Sequence, residues 1–148
     1  MEQLNRKLVE DDGSSAADYL GDALNERVIG QERAVDSIVS ALNKARLRAE
    51  DRPVASLMFL GLTGVGKTQM AYALAEYLTG KEDPNITCID CAEFAHGHEQ
   101  AALVGAPPGY IGHNQQSKFN KEKIERPGSV VLFDEIEKAS PKFHNLML

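Results

Sequence analysis

Residues 61–68 read Gly-Leu-Thr-Gly-Val-Gly-Lys-Thr, and this segment restricts the possible fold more than any other. It fits the pattern G-x-x-x-x-G-K-[ST], whose glycines let the loop curl until backbone N–H groups point inward at an anion. In this pattern Lys67 reaches the β- and γ-phosphates of a nucleotide, and the Thr68 hydroxyl binds Mg²⁺. The alternative is an incidental glycine turn. The candidate nucleotide-binding residues are Thr63, Gly64, Val65, Gly66, Lys67, Thr68 and Gln69.

Alternating strands and helices surround this loop. Nearly continuous apolar runs are typical of parallel strands covered on both faces, and together with one shorter β-prone run they predict strands at 54–60, 86–89 and 130–133. Apolar residues at helical spacing predict helices over 31–49, 67–78 and 137–148. Strands that alternate with helices predict an α/β fold with a parallel sheet.

Two carboxylates, Asp134 and Glu135, follow the strand predicted at 130–133. Ligands of open α/β folds bind at the carboxyl edge of the sheet, which is where this strand would end. We predict that Asp134 holds Mg²⁺ through the water shell of the ion and that Glu135 polarises the attacking water as a general base. Taken alone, two acids after a strand are more often a solvated strand end. The glycine loop earlier in the chain favours the catalytic interpretation.

Composition and charge exclude several classes of protein. Sixteen basic and twenty-two acidic side chains give a formal net charge of −6, which argues against a nucleic-acid-binding surface. No apolar run approaches the roughly 18–20 residues of a membrane span, and the N-terminus lacks the apolar stretch of a secretory signal. Two cysteines without such a signal indicate a reducing, cytoplasmic location. We interpret Cys88 and Cys91 as ordinary thiols rather than a zinc or redox site, because no second C-x-x-C completes a tetrahedral set.

The segment 103–112, Leu-Val-Gly-Ala-Pro-Pro-Gly-Tyr-Ile-Gly, carries the most specific resemblance to a known family. Together with the glycine loop and the acidic pair, it resembles Clp-type AAA+ ATPases, specifically the second ATPase ring of unfoldases and disaggregases. The resemblance runs from about Leu20 to Leu148. It implies that Tyr110 grips translocating polypeptide in a central pore, with Ile111 packed beside it. A buried turn tyrosine is the alternative.

A second segment, Arg27-Val28-Ile29-Gly30-Gln31, is similar to the part of the family that wraps the adenine ring. The resemblance implies that Val28 and Ile29 line the adenine pocket. From the residues alone, both side chains more often belong to a plain hydrophobic core.

The resemblance also implies a P-loop NTPase fold, a three-layer αβα sandwich with a parallel sheet. Residues 1–18 are then a polar linker, and 19–148 form part of an ATPase large subdomain. In the family, later strands, the sensor asparagine, the arginine finger and a helical lid follow the position of Leu148. One of those strands lies between the strand of the phosphate loop and that of the acidic pair. We therefore expect an incomplete sheet, a chain that is a piece of a larger ATPase, and weak activity from this piece alone.

The implied function is the binding and hydrolysis of ATP with Mg²⁺, with Lys67 and Glu135 as the catalytic residues. Hydrolysis would power protein unfolding, disaggregation or remodelling by threading polypeptide through a homo-oligomeric ring of six subunits. The implied partners are the polypeptide substrate and a peptidase or co-chaperone, with no nucleic acid and no membrane. The alternative is a nucleotide-binding module that assembles or regulates a partner without motor activity. It is favoured by residues 113–117, His-Asn-Gln-Gln-Ser, which replace two acids and two glycines common in relatives.

Overall fold

A computed structural model of the chain describes residues 15–45, 53–95 and 119–147. In chain order the helices are α1 (Ser15–Arg27), α2 (Glu32–Ala45), α3 (Lys67–Thr79), α4 (Lys121–Ile124) and α5 (Pro141–Leu146). The strands are β1 (Ile86–Asp90) and β2 (Val130–Asp134), and single 3₁₀ turns cover Cys91–Phe94 and Ile136–Lys138. These elements fall into two compact units, residues 1–84 and residues 85–148.

The first unit is a cluster of three helices. Apolar side chains on one face of each helix enclose a common core of Leu20, Leu24, Val28, Val35, Ile38, Met70 and Ala73. Spacings of three and four residues place such side chains on one side of a helix, so burial of that face stabilises all three. The helix predicted over 67–78 is confirmed as α3. The helix predicted over 31–49 is confirmed as α2, and residues 46–49 lie outside the described part of the chain.

The strand predicted over residues 54–60 is wrong. In the described part of the chain the sheet consists of β1 and β2, and residues 54–60 form no strand pairing. The side chains of Val54, Met58 and Leu60 are 61%, 73% and 86% exposed, whereas Phe59 packs partly on the helical core. An apolar run becomes a buried strand only where neighbouring strands satisfy its N–H and C=O groups, and hydropathy does not report those neighbours.

The second unit is built on a parallel strand pair. Ile86 of β1 is opposite Val130 of β2, and the register continues to Asp90 opposite Asp134. Lys123 of α4 anchors this pair, because its Nζ donates to the Ile86 carbonyl oxygen at 2.8 Å. The core contains Ile89, Cys91, Phe94, Ala139 and Phe143. The strands predicted at 86–89 and 130–133 are therefore confirmed, as is the α/β class with a parallel sheet.

The continuous helix predicted over 137–148 is interrupted in the structure. A 3₁₀ turn ends at Lys138, and α5 begins at Pro141. Proline disfavours the helical conformation of the residue before it, and Ser140 is accordingly extended, with φ −67° and ψ 155°. Proline itself fits the first position of a helix, so α5 starts there.

The segment 1–18, predicted as linker, contains the beginning of α1 at Ser15, and residues 1–14 lie outside the described chain. The boundary at 18 and the assignment of 19–148 to one subdomain stay predictions. Most of the loop predicted over 95–117 also lies outside the described residues. Within the described part, no helix is long and apolar enough to cross a membrane.

Candidate nucleotide-binding site

The phosphate-loop candidate has the backbone shape that its glycines predict. Gly64 and Gly66 have φ values of 82° and 94°, in the left-handed region that favours glycine. The chain leaves this loop directly into α3 at Lys67. The Lys67 ammonium group folds over the loop, where Nζ donates to the carbonyl oxygens of Gly61 at 2.9 Å and Leu62 at 2.8 Å. A cationic group and a curled backbone therefore meet at one place.

The beginning of α3 supplies further attraction for an anion. The first N–H groups of any α-helix have no acceptor within the helix and carry its positive dipole end. The first turn of α3, Lys-Thr-Gln, contains no acid to compete for them. Thr68 is half-buried, whereas Thr63, Val65 and Gln69 are exposed beside it. The Lys67 ammonium group and these N–H groups are donors of the kind that a polyphosphate requires.

Val28 and Ile29 differ sharply in their surroundings. Val28 is 5% exposed and belongs to the helical core, whereas Ile29 is 90% exposed at the turn after α1. Val28 also touches the loop: a Cβ added to Gly66 would lie 2.8 Å from Val28 Cγ1. The turn predicted to contact adenine and the loop predicted to contact phosphate are therefore in direct contact within the first unit.

An ion pair between Arg27 and Glu76 joins these same elements. Arg27 is the last residue of α1, and its Nη2 donates to Oε2 of Glu76 in α3. Sequence reasoning missed Glu76, because 49 residues separate the partners and nothing in the pattern links them. For Arg27, the only signal was its place immediately before Val28.

In the second unit, Asp134 ends β2 and Glu135 follows it in an unusual conformation. Glu135 has φ 53°, and it is the only non-glycine residue with positive φ among those described. Such backbone costs roughly 1–3 kcal/mol and is concentrated at functional sites. The Glu135 N–H donates to Asp134 Oδ1 at 3.1 Å, so the two acids form one local structure.

Lys138 holds the Glu135 side chain. Its Nζ donates to Glu135 Oε2 at 2.6 Å, and this hydrogen bond raises the pKa of Lys138 above its ordinary value. A carboxylate accepts several hydrogen bonds, so Oε1 of Glu135 can still accept one from water. Sequence analysis missed Lys138. Opposite charges three residues apart were the signal for it.

The strand register places a third acid at the same sheet edge, since Asp90 is opposite Asp134. Asp90 caps the following 3₁₀ turn by accepting from the Ala92 N–H at 2.9 Å, which gives it a structural role. Cys91 is fully buried beside it, and burial, reinforced by the nearby carboxylates, raises its pKa to about 11. Cys88 is exposed. The Cys91 thiol is thus protonated near neutral pH, unlike a metal-binding or redox-active thiolate.

Mg²⁺ prefers oxygen ligands and keeps several waters. The Thr68 hydroxyl in the first unit and the Asp134 carboxylate in the second unit are oxygen donors of this kind. Their assignment to Mg²⁺ stays a prediction. Tyr110, Ile111 and the altered segment 113–117 lie outside the described residues.

A glycine loop that leads into a helix, followed later in the chain by a strand that ends in two acids, defines the P-loop nucleotide-binding class. A family model described as "AAA domain (Cdc48 subfamily)" matches residues 52–148, and the chain belongs to this family. The P-loop NTPase fold predicted from the sequence is confirmed by this membership.

The chain is also similar to individual proteins of known name. The chain is 50% identical over 131 residues to "ATP-dependent Clp protease ATP-binding subunit ClpC" of Staphylococcus aureus (strain USA300). It is 49% identical over 131 residues to the protein of the same name from Staphylococcus epidermidis. Each match covers 87% of this chain and 16% of the relative. The predicted resemblance to a Clp-type AAA+ ATPase is confirmed. The chain spans about a sixth of the length of these relatives.

Proposed function

We propose that this chain binds Mg-ATP and contributes to its hydrolysis as the nucleotide-binding part of a protein-unfolding machine. The observation that carries the proposal is the loop 61–66. Two of its glycines have positive φ, and the Lys67 ammonium group lies over it. A lysine on loop carbonyls is already at the place where phosphate oxygens would replace those carbonyls as acceptors.

Within the first unit, each candidate has a distinct role. Lys67 and the backbone N–H groups of the loop bind the β- and γ-phosphates, with Thr63, Gly64, Val65 and Gln69 as neighbouring contacts. Ile29 offers an exposed apolar surface to the base, and Val28 supports it from the core. The burial of Val28 and the exposure of Ile29 are compatible with this division.

For hydrolysis, we assign the water-activating role to Glu135. Water attacks the γ-phosphorus, the bond to the ADP oxygen breaks, and Glu135 accepts the proton of the attacking water. Asp134 and Thr68 would hold Mg²⁺, which when bound neutralises phosphate charge. Two observations support this assignment: the positive φ of Glu135, a conformation concentrated at functional sites, and the hydrogen bond from Lys138 that orients its carboxylate.

The mechanical part of the proposal is supported by family membership and by the names of the relatives. We propose that Tyr110 and Ile111 grip a polypeptide in the pore of a homohexameric ring in the cytoplasm. A peptidase or co-chaperone then receives the threaded chain. The relatives are named as ATP-binding subunits of an ATP-dependent protease, which favours a peptidase as that partner.

The first test is a titration of this chain with a fluorescent ATP analogue in Mg²⁺, with Lys67→Ala as the matched variant. Saturable binding that Lys67→Ala weakens at least tenfold is the expected result. Equal binding by both proteins, or none by either, would contradict the proposed phosphate site.

The second test separates hydrolysis from binding. Glu135→Gln is expected to bind the analogue like the unmodified chain and to release no phosphate from ATP, even at the low rate expected of the chain alone. Binding without any Glu135-dependent phosphate release in the unmodified chain would favour the alternative, a nucleotide-binding regulatory module.

A further inference from the structure

The end of α1 is attached to α3 at two separate points. Val28 lies against Gly66 at the beginning of α3, and Arg27 bonds to Glu76 ten residues further along. At 1.5 Å per residue these points are about 15 Å apart on the helix axis. The Arg27 and Glu76 side chains are 40% and 21% exposed, so the pair lies at the border of the core rather than fully in solvent.

The two attachments constrain different motions. Apolar contacts such as that of Val28 have no preferred direction. A guanidinium–carboxylate bond is directional and fixes the angle of approach. Arg27 also lies in the last turn of α1, where its positive charge is favourable to the helix dipole.

We propose that Arg27 and Glu76 are positioning residues for recognition of the nucleotide base, because their ion pair fixes the turn that carries Ile29 relative to the phosphate loop. The inference rests on the proposed nucleotide site and adds two residues to it. Neither side chain touches the base. They act by holding Ile29 at the distance and angle at which a purine that extends from the bound phosphates can meet it.

The test compares a ligand that has a base with one that lacks it. Binding of Mg-ATP and of inorganic tripolyphosphate with Mg²⁺ is measured by calorimetry for the unmodified chain and for Arg27→Gln and Glu76→Gln. Each substitution is expected to weaken ATP binding about two- to fivefold, in proportion to a partly exposed ion pair, and to leave tripolyphosphate binding unchanged. The charge-exchanged double variant, Arg27→Glu with Glu76→Arg, is expected to regain ATP affinity to within about twofold.

Two controls accompany this test. Arg33→Gln makes the same chemical change at an exposed arginine of α2 and is expected to alter neither ligand. Lys67→Ala is expected to weaken the binding of both ATP and tripolyphosphate. Equal weakening of ATP binding and tripolyphosphate binding in Arg27→Gln would show a general structural role, and unchanged ATP binding would show no role. Either result overturns this inference and leaves the proposed nucleotide site intact. Failure of the unmodified chain to bind either ligand overturns the proposed nucleotide site as well.

Discussion

Replacement of Gly66 by alanine tests the contact between the phosphate loop and the helical core. A side chain at φ 94° costs about 1–2 kcal/mol, because the left-handed region brings Cβ close to the following carbonyl. The new Cβ would also lie 2.8 Å from Val28 Cγ1. Val28 is 5% exposed and has little room to yield, so overpacking adds about 1–3 kcal/mol. We expect Gly66→Ala to lower the free energy of unfolding of the first unit by about 2–5 kcal/mol.

Gly64→Ala is the matched control. Its φ is 82°, but no atom lies within 4 Å of an added Cβ, so only the backbone cost of about 1–2 kcal/mol applies. The difference between the two variants isolates the contact with Val28. In the double variant Gly66→Ala with Val28→Ala, the loss is expected to be smaller than the sum of the single losses by about 1–3 kcal/mol.

Urea denaturation followed by circular dichroism at 222 nm measures these losses, because α1, α2 and α3 carry most of the helix in the described chain. Titration with the fluorescent ATP analogue shows whether the loop is displaced as well. Equal losses for Gly64→Ala and Gly66→Ala would refute the reasoning, since they would show that Val28 does not restrict the loop. Strict additivity of the losses in the double variant Gly66→Ala with Val28→Ala would refute the reasoning as well.

Three further predictions concern the second unit. Phe143→Ala should lower its unfolding free energy by about 3–5 kcal/mol in urea denaturation, because the ring is fully buried; a loss under 1 kcal/mol would contradict this core. At pH 8, iodoacetamide should modify Cys88 and spare Cys91, because a pKa of about 11 leaves about one Cys91 thiol in a thousand ionised. Mass spectrometry after digestion measures the modification of each cysteine, and preferential modification of Cys91 would contradict the prediction. NMR titration of the Lys138 ammonium group should give a pKa above 10.5, and the Glu135→Gln substitution should lower this pKa towards its ordinary value. The stabilisation from the pair is complete below pH 10.5 and is lost as the pH rises through the raised pKa of Lys138. An unchanged Lys138 pKa in Glu135→Gln would exclude the pair in solution.

Local signals were sufficient for much of this chain. The position of α3 followed from hydrophobic periodicity, because that period is set by backbone geometry. The positions of β1 and β2 followed from a short β-prone run and a continuous apolar run. The loop at 61–66 followed from the spacing of its glycines, since positive φ is a property of single residues. For α5, Pro141 was the decisive residue, and its effect on Ser140 was overlooked although it too is local.

Only the tertiary structure decided the remaining features. The apolar run 54–60 has the composition of a buried strand, but strand formation depends on neighbours that a single segment does not specify. The bond between Arg27 and Glu76 joins residues 49 positions apart, and the burial of Val28 beside an exposed Ile29 depends on how α1 meets α3. The sequence by itself determined conformations that one residue or one period specifies. Contacts between distant segments required the fold, because they depend on where packing places each side chain.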